Sequence, residues 1–162
     1  MKKSSICIFA FLGLALLMGS NESTRDSVTA EQAVAIEKAI LQTHDKIIAA
    51  AEKRDADEMF SYIAENDKGC IIQDGRLIMT RQEALDSVKQ SFAGTTNVHY
   101  DFRQRNVKVL SPTIAILTAV GNVTVTFESG QSFTSEFANT SVFVLQDNAW
   151  KIIHGHHSVP NP

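Results

Sequence analysis

VHYDFRQRNVKVL (98–110), TIAILTAVGNVTVTF (113–127) and FTSEFANTSVFVL (133–145) fill most of the second half of the chain. Each run is rich in β-branched and aromatic residues, and each is long enough for an extended strand. Ser111-Pro112 separates the first pair and Glu128-Ser129-Gly130-Gln131 the second, both with turn-forming composition. A tight turn at Asp147-Asn148 leads into a last strand, Trp150 to Ser158. Four strands joined by short connections form an antiparallel meander.

Upstream of the meander the period changes. Ala33, Ile36, Ile40, Ile47, Ile48 and Ala51 recur at helical spacing from Ala30 to Lys53, and His44 falls on the same stripe. Thr29 is placed to cap this helix, with Gln32 three positions on as in a capping box. Asp55 caps a short second helix carrying Met59, Phe60 and Ile63. Cys70 to Gln73 and Leu77 to Met79 read as two short strands around Asp74-Gly75, a dipeptide suited to tight hairpins. Thr80 and Glu83 form a second capping-box pair before a third helix, whose inner face holds Ala84, Leu85, Val88 and Phe92; Gly94 ends it. The expected fold class is α+β: a curved antiparallel sheet, cone-shaped, with three helices from the N-terminal half packed on its concave face.

The chain begins with Met1-Lys2-Lys3, an apolar run from Ile6 to Met18, and the small residues Gly19 and Ser20. The run is short of the roughly 20 apolar residues that span a bilayer. It reads as a cleaved secretory signal peptide (residues 1–20), followed by a flexible leader (21–29), one domain (30–158) and a short tail (159–162). Ser20 stands where a lipoprotein would carry its acylated cysteine. The expected location is therefore periplasmic or secreted, without membrane attachment after cleavage. Removing residues 1–20 leaves 13 basic against 18 acidic residues, a net charge of −5 with no basic stripe, so nucleic acid is excluded as a partner. Cleavage also removes Cys7 and leaves Cys70 alone, which reads as a buried thiol in an apolar string.

Trp150-Lys151-Ile152-Ile153-His154-Gly155-His156-His157-Ser158 is the most distinctive string in the chain. It resembles the last strand of the SnoaL-like, nuclear-transport-factor-two-like superfamily, whose fold is also described as cystatin-like. The nearest likeness is to the association domain of calcium/calmodulin-dependent kinase II, with its tryptophan, histidine-x-histidine and serine series. The element order matches that superfamily over Ala30 to Ser158. The resemblance is specific for fold and weak for function, since this fold hosts isomerases, cyclases, hydratases and binding hubs.

What the resemblance implies about chemistry is mainly a loss. Ketosteroid isomerases of this fold place a tyrosine eight positions before the turn aspartate; counting back from Asp55 reaches Ile47. Their aspartic acid on the penultimate strand aligns with Ser141, and their general base with Gln73 or Asp74. The kinase hub's arginines align with Ser141 and near Gly121, and only its last one has a polar heir here, His157. Both an oxyanion hole and an arginine cluster are thus missing from the expected positions.

Strand alternation gives a separate view of the interior. If His157 faces inward, Gly155 and Ile153 do too; Ser141 brings Asn139, Phe137 and Phe143, and Gly121 brings Ala119, Val123 and Val125. This is a mostly apolar floor with a few polar groups, as small-molecule sites have. The ligand-binding candidates are His157, Ser141 and Asn139, with Asp74 and Tyr62 nearer the mouth. His154 and His156 lie two apart on one strand and would need Glu136 or His99 to complete a zinc site; no metal and no cofactor are expected. His44 reads as a hydrogen-bonded histidine under the sheet.

Three functions follow. The first is an exported, non-catalytic module that binds a small, partly apolar molecule. The second is an isomerase, cyclase or hydratase using Asp74 or His157 as general base, although the steroid-isomerase set is unmatched at Ile47 and Ser141. The third is a dimeric protein-interaction domain whose sheet face matters and whose cavity is incidental; whichever holds, the mature protein is expected to be a homodimer through the outer sheet face near His154, His156, Thr124 and Glu136.

Overall fold

The computed structural model describes residues 28–65, 68–73 and 75–160. The signal segment, most of the leader and Asp74 lie outside these residues. Among the described residues, no helix is long and apolar enough to cross a membrane.

Helix α1 (Ala30–Glu52) starts as its sequence suggests. The Thr29 hydroxyl accepts from the Gln32 amide at 3.2 Å, and the Gln32 side chain accepts from the Thr29 amide at 2.9 Å. Ile40, His44, Ile47 and Ala51 are buried on one stripe, because positions three and four apart share a helix face. Asp55 caps α2 (Ala56–Ser61) by accepting from the Glu58 amide. Thr80 caps α3 (Arg81–Phe92), but the expected box is only half formed: the Glu83 carboxylate reaches one residue farther back and accepts from the Met79 amide at 3.1 Å.

The sheet has the order β2-β1-β6-β5-β4-β3. Strands β3 (Thr95–Ser111), β4 (Ile114–Phe127), β5 (Ser132–Gln146) and β6 (Ala149–Ser158) make the meander, and Asp147 and Asn148 both adopt positive φ in the last turn. The short hairpin β1 (Ile71–Gln73) and β2 (Arg76–Ile78) does not extend the antiparallel pattern. Strand β1 docks parallel on β6, with Gln73 opposite His157. The sheet is open, since β2 and β3 are its two edges. Its curvature coincides with register shifts at three points along β3 and one between β5 and β6, where an extra residue bends the strand. At Gly121 a β-carbon would lie 2.1 Å from the Asp101 carbonyl oxygen, so β3 can approach β4 this closely only over a glycine. Side chains of the α1 end cover part of the β3 edge: Glu52 accepts from the Tyr100 amide at 3.0 Å, and Arg54 donates to the Thr95 carbonyl.

The β6 irregularity corrects one expectation. Phe143 pairs with Ile152 and Val142 with His154, so Ile153 is the extra residue. It reverses the phase of the strand. Gly155 and His157 keep the inner face, but Ile152 rather than Ile153 joins them there, 8% exposed. Phe60, Phe143, Ile40 and Leu117 are fully buried between helices and sheet, and Trp150 packs half-buried against this core. Cys70 is buried, as its apolar neighbours suggest, and burial pushes its thiol pKa upward.

Candidate functional site

The helices do not fill the hollow of the sheet. A partly enclosed cavity of about 230 Å³ remains, walled by α1, α2 and α3 on one side and by β1, β3, β5 and β6 on the other. From α1 come His44, Ile47 and Ala51; from α3, Val88 and Phe92. Strand β3 contributes Tyr100 and Phe102, β5 contributes Phe137, Asn139 and Ser141, and β6 contributes Ile152, Gly155 and His157. Each set comes from one helical stripe or from positions two apart on a strand, except that on β6 the extra residue Ile153 sets Ile152 and Gly155 three apart. Phe137 stands in the wall, and Phe143 is buried in the core beneath it.

Gly155 has a particular place in this floor. It pairs with Ser141 on one side and Ile71 on the other. A β-carbon built there would meet nothing within 4 Å. Any larger residue would therefore project into the cavity and reduce it, whereas glycine in a strand interior adds no packing of its own.

The polar groups are few and oriented. The Ser141 hydroxyl, 3% exposed, donates to Asn139 Oδ1 at 2.8 Å. That bond turns the carboxamide oxygen to Ser141 and leaves both NH₂ hydrogens for an occupant. Arg105 Nη1 lies 3.3 Å from His44 Nδ1. A guanidinium only donates, so Nδ1 accepts and the His44 proton sits on Nε2. Burial first, and the Arg105 charge second, lower the His44 pKa from 6.5 to about 4, against a smaller upward pull from Asp45. His44 is thus a neutral hydrogen-bond donor at neutral pH. Desolvation, reinforced by Glu52, raises the Tyr100 phenol pKa, so that hydroxyl stays protonated.

Rings connect these groups. His44 meets Phe102 edge-on at 5.2 Å, and Tyr100 meets Phe137 edge-on at 5.7 Å. Phe102 and Phe137 meet edge-on at 5.5 Å, and His157 stacks on Phe137 at 5.7 Å with planes 17° apart. Three polar rings therefore border two phenylalanines in one continuous wall.

His157, Ser141 and Asn139 all line the cavity. Tyr62 does not. It closes the end of α2 and packs on the core, and its carbonyl accepts from the Ile152 amide at 2.9 Å. Asp74 lies outside the described residues, but its neighbour Gln73 lines the cavity. Gln73 and Ser91 also line an adjoining polar cleft of about 470 Å³ and so mark the mouth. Sequence reasoning missed Tyr100 and treated His44 as structural. The available signals were the alternation of Val98, Tyr100 and Phe102 on β3 and the place of His44 one turn before Ile47.

The outer-face histidines have other contacts. His154 Nδ1 donates to the Gly69 carbonyl at 3.1 Å. Glu136 pairs with Arg103 at 2.7 Å, and His99 with Glu52 at 2.9 Å. Among the described residues, no group of three or more His, Cys, Asp or Glu is placed to hold a metal ion.

Comparison with known proteins agrees with this geometry at the level of fold. A nuclear transport factor 2-like superfamily protein from Salmonella enterica aligns with a TM-score of 0.72 at 13% identity, over 80% of this chain and 94% of that one. A Xanthomonas campestris protein assigned as a calcium/calmodulin-dependent kinase II association domain aligns with a TM-score of 0.66 at 18% identity, over 75% and 85%. A Novosphingobium aromaticivorans protein assigned as a scytalone dehydratase gives 0.74 at 10% identity, over 82% and 89%. No curated protein matches the sequence. Residues 40–162 match the family model of the SnoaL-like domain, and the chain belongs to that family.

Proposed function

We propose that the protein is an exported, non-catalytic binding domain that holds a small, largely apolar molecule in the cavity between helices and sheet. The observation that carries this reading is Gly155. An opening in the floor at a strand position that any β-branched residue would fill more stably is what a ligand site needs and a solid core does not. Support also comes from the mostly apolar wall with its few oriented polar groups. The absence of acidic hydrogens at Ile47 and of a carboxylic acid at Ser141, both in the cavity wall, favours binding over isomerase-type catalysis. Export rests on the sequence of residues 1–20, and a homodimer through the outer sheet face on the resemblance of the last strand to the kinase association domain.

The test is a titration of the full chain with naphthalene and its neutral derivatives, followed by fluorescence, beside native mass spectrometry of freshly purified protein. Wild type should bind, and Gly155→Val should fold normally and lose the binding. Unchanged affinity in Gly155→Val would place the probe elsewhere and end the proposal.

A second reading, an enzyme of hydratase or isomerase type, is favoured by one observation: His157 stacks in the cavity wall beside neutral donors, as a general base and its electrophilic partners would. Turnover of a bound compound that is abolished in His157→Ala would decide for it.

A further inference from the structure

No Asp, Glu, Lys or Arg is among the described residues lining the cavity. Its titratable groups are His44, neutral near pH 7, Tyr100, which is protonated, and His157. An ammonium entering this wall would meet no carboxylate of the lining and a carboxylate would meet no lysine or arginine, and an unpaired ion in an apolar site is strongly disfavoured. An uncharged occupant loses far less.

The polar groups also have a direction. The Asn139 carboxamide turns its oxygen to Ser141 and keeps both NH₂ hydrogens, the His44 proton is on Nε2, and the Tyr100 hydroxyl carries a proton. Each can donate a hydrogen, and His44 Nε2 can only donate, so the ligand group that satisfies all three is an acceptor oxygen. The remaining wall presents the rings of Phe102, Phe137 and His157, which favour edge-to-face or offset contact with another ring. Size sets a further limit. An apolar cavity of roughly 150 Å³ accommodates benzene. At about 230 Å³, this one suits a substituted ring or two fused rings and little more.

We infer that the cavity selects an uncharged molecule of one or two fused rings bearing a carbonyl-type acceptor oxygen, and rejects carboxylates and amines of the same shape. This rests on the binding role proposed above and goes beyond it in naming charge, size and the complementary group.

Four matched probes test it on the full chain near neutral pH: naphthalene, 2-acetylnaphthalene, 2-naphthoate and 2-(aminomethyl)naphthalene. The ketone should bind at least about 100-fold more tightly than either ion. It should bind about 5- to 10-fold more tightly than the hydrocarbon, the worth of an ordinary hydrogen bond. Tyr100→Phe and Asn139→Leu should each lower that ketone-to-hydrocarbon ratio, and if one variant does not fold the other still reads it. A ratio unchanged in the folded variants overturns the donor assignment. A carboxylate that binds as well as the ketone overturns the charge selection and would make His157 a cation in the site. Probes that fail to bind wild type at all, or that bind Gly155→Val equally well, remove the binding role and the selectivity with it. Binding with the wrong ranking overturns the selectivity alone.

Discussion

His44 gives the sharpest quantitative test of the packing around the cavity. Its ring is 5% exposed, and burial together with Arg105 brings its pKa from 6.5 to about 4. In the unfolded chain the same imidazole takes a proton near 6.5. Between these values the unfolded state binds more protons than the folded state, so stability falls as pH drops through the window. Above 6.5 neither state carries the proton and the effect vanishes. Each tenfold change in acidity corresponds to about 1.36 kcal/mol, so the whole difference is about 3 kcal/mol, reached near pH 4. His44→Gln keeps an acceptor for Arg105 and removes the titration. Urea unfolding of the full chain between about pH 7.5 and pH 4 should show wild type losing about 3 kcal/mol more than the variant. Curves that stay parallel within about 0.5 kcal/mol would mean that His44 is solvated or protonates in the folded state, and the neutral-donor argument would fail with it.

Gly121→Ala should destabilise by about 2 kcal/mol or more, because its β-carbon lands on the Asp101 carbonyl; an unchanged melting temperature would show that β3 retreats freely. Trp150→Ala should cost about 2 kcal/mol, less than the 3–5 of a fully buried ring, since the indole is only half covered; chemical denaturation showing no loss would place the ring in solvent. Intact-mass measurement should find about twenty residues missing from the N-terminus of the exported protein, and retention of the full chain would refute export. Sedimentation at micromolar concentration should give a dimer that Thr124→Arg dissociates, and a monomeric wild type would remove the outer-face interface.

Local physics made most of the elements readable. The α1 stripe, the Thr29–Gln32 box and the Asp147-Asn148 turn are all specified within a few residues, and each forms where its chemistry places it. Alternation likewise put Phe137, Asn139 and Ser141 on one face. It failed where a strand breaks step. A bulge has no side-chain signature, so the extra residue at Ile153 and the shifts along β3 appear only once the strands are paired. The parallel docking of β1 on β6 was hidden for a similar reason, being a contact between segments about 80 residues apart. Tyr100 and His44 were underrated because their character depends on such distant partners. Burial by the packed elements sets their charge states, and Glu52 and Arg105 reinforce it from 48 and 61 positions away.

The bulge at Ile153 divides β6 into two segments whose inward residues are set independently. Pairing with β5 anchors both segments, Trp150 to Leu145 on one side and His154 to Val142 on the other. The first segment supplies Trp150 and Ile152 to the core, and the second supplies Gly155 and His157 to the cavity. Substitutions at Gly155 or His157 therefore alter the cavity wall while Trp150 and Ile152 keep their packing on the core. The hollow of the sheet can thus change shape along five residues of one strand while the first segment keeps its packing.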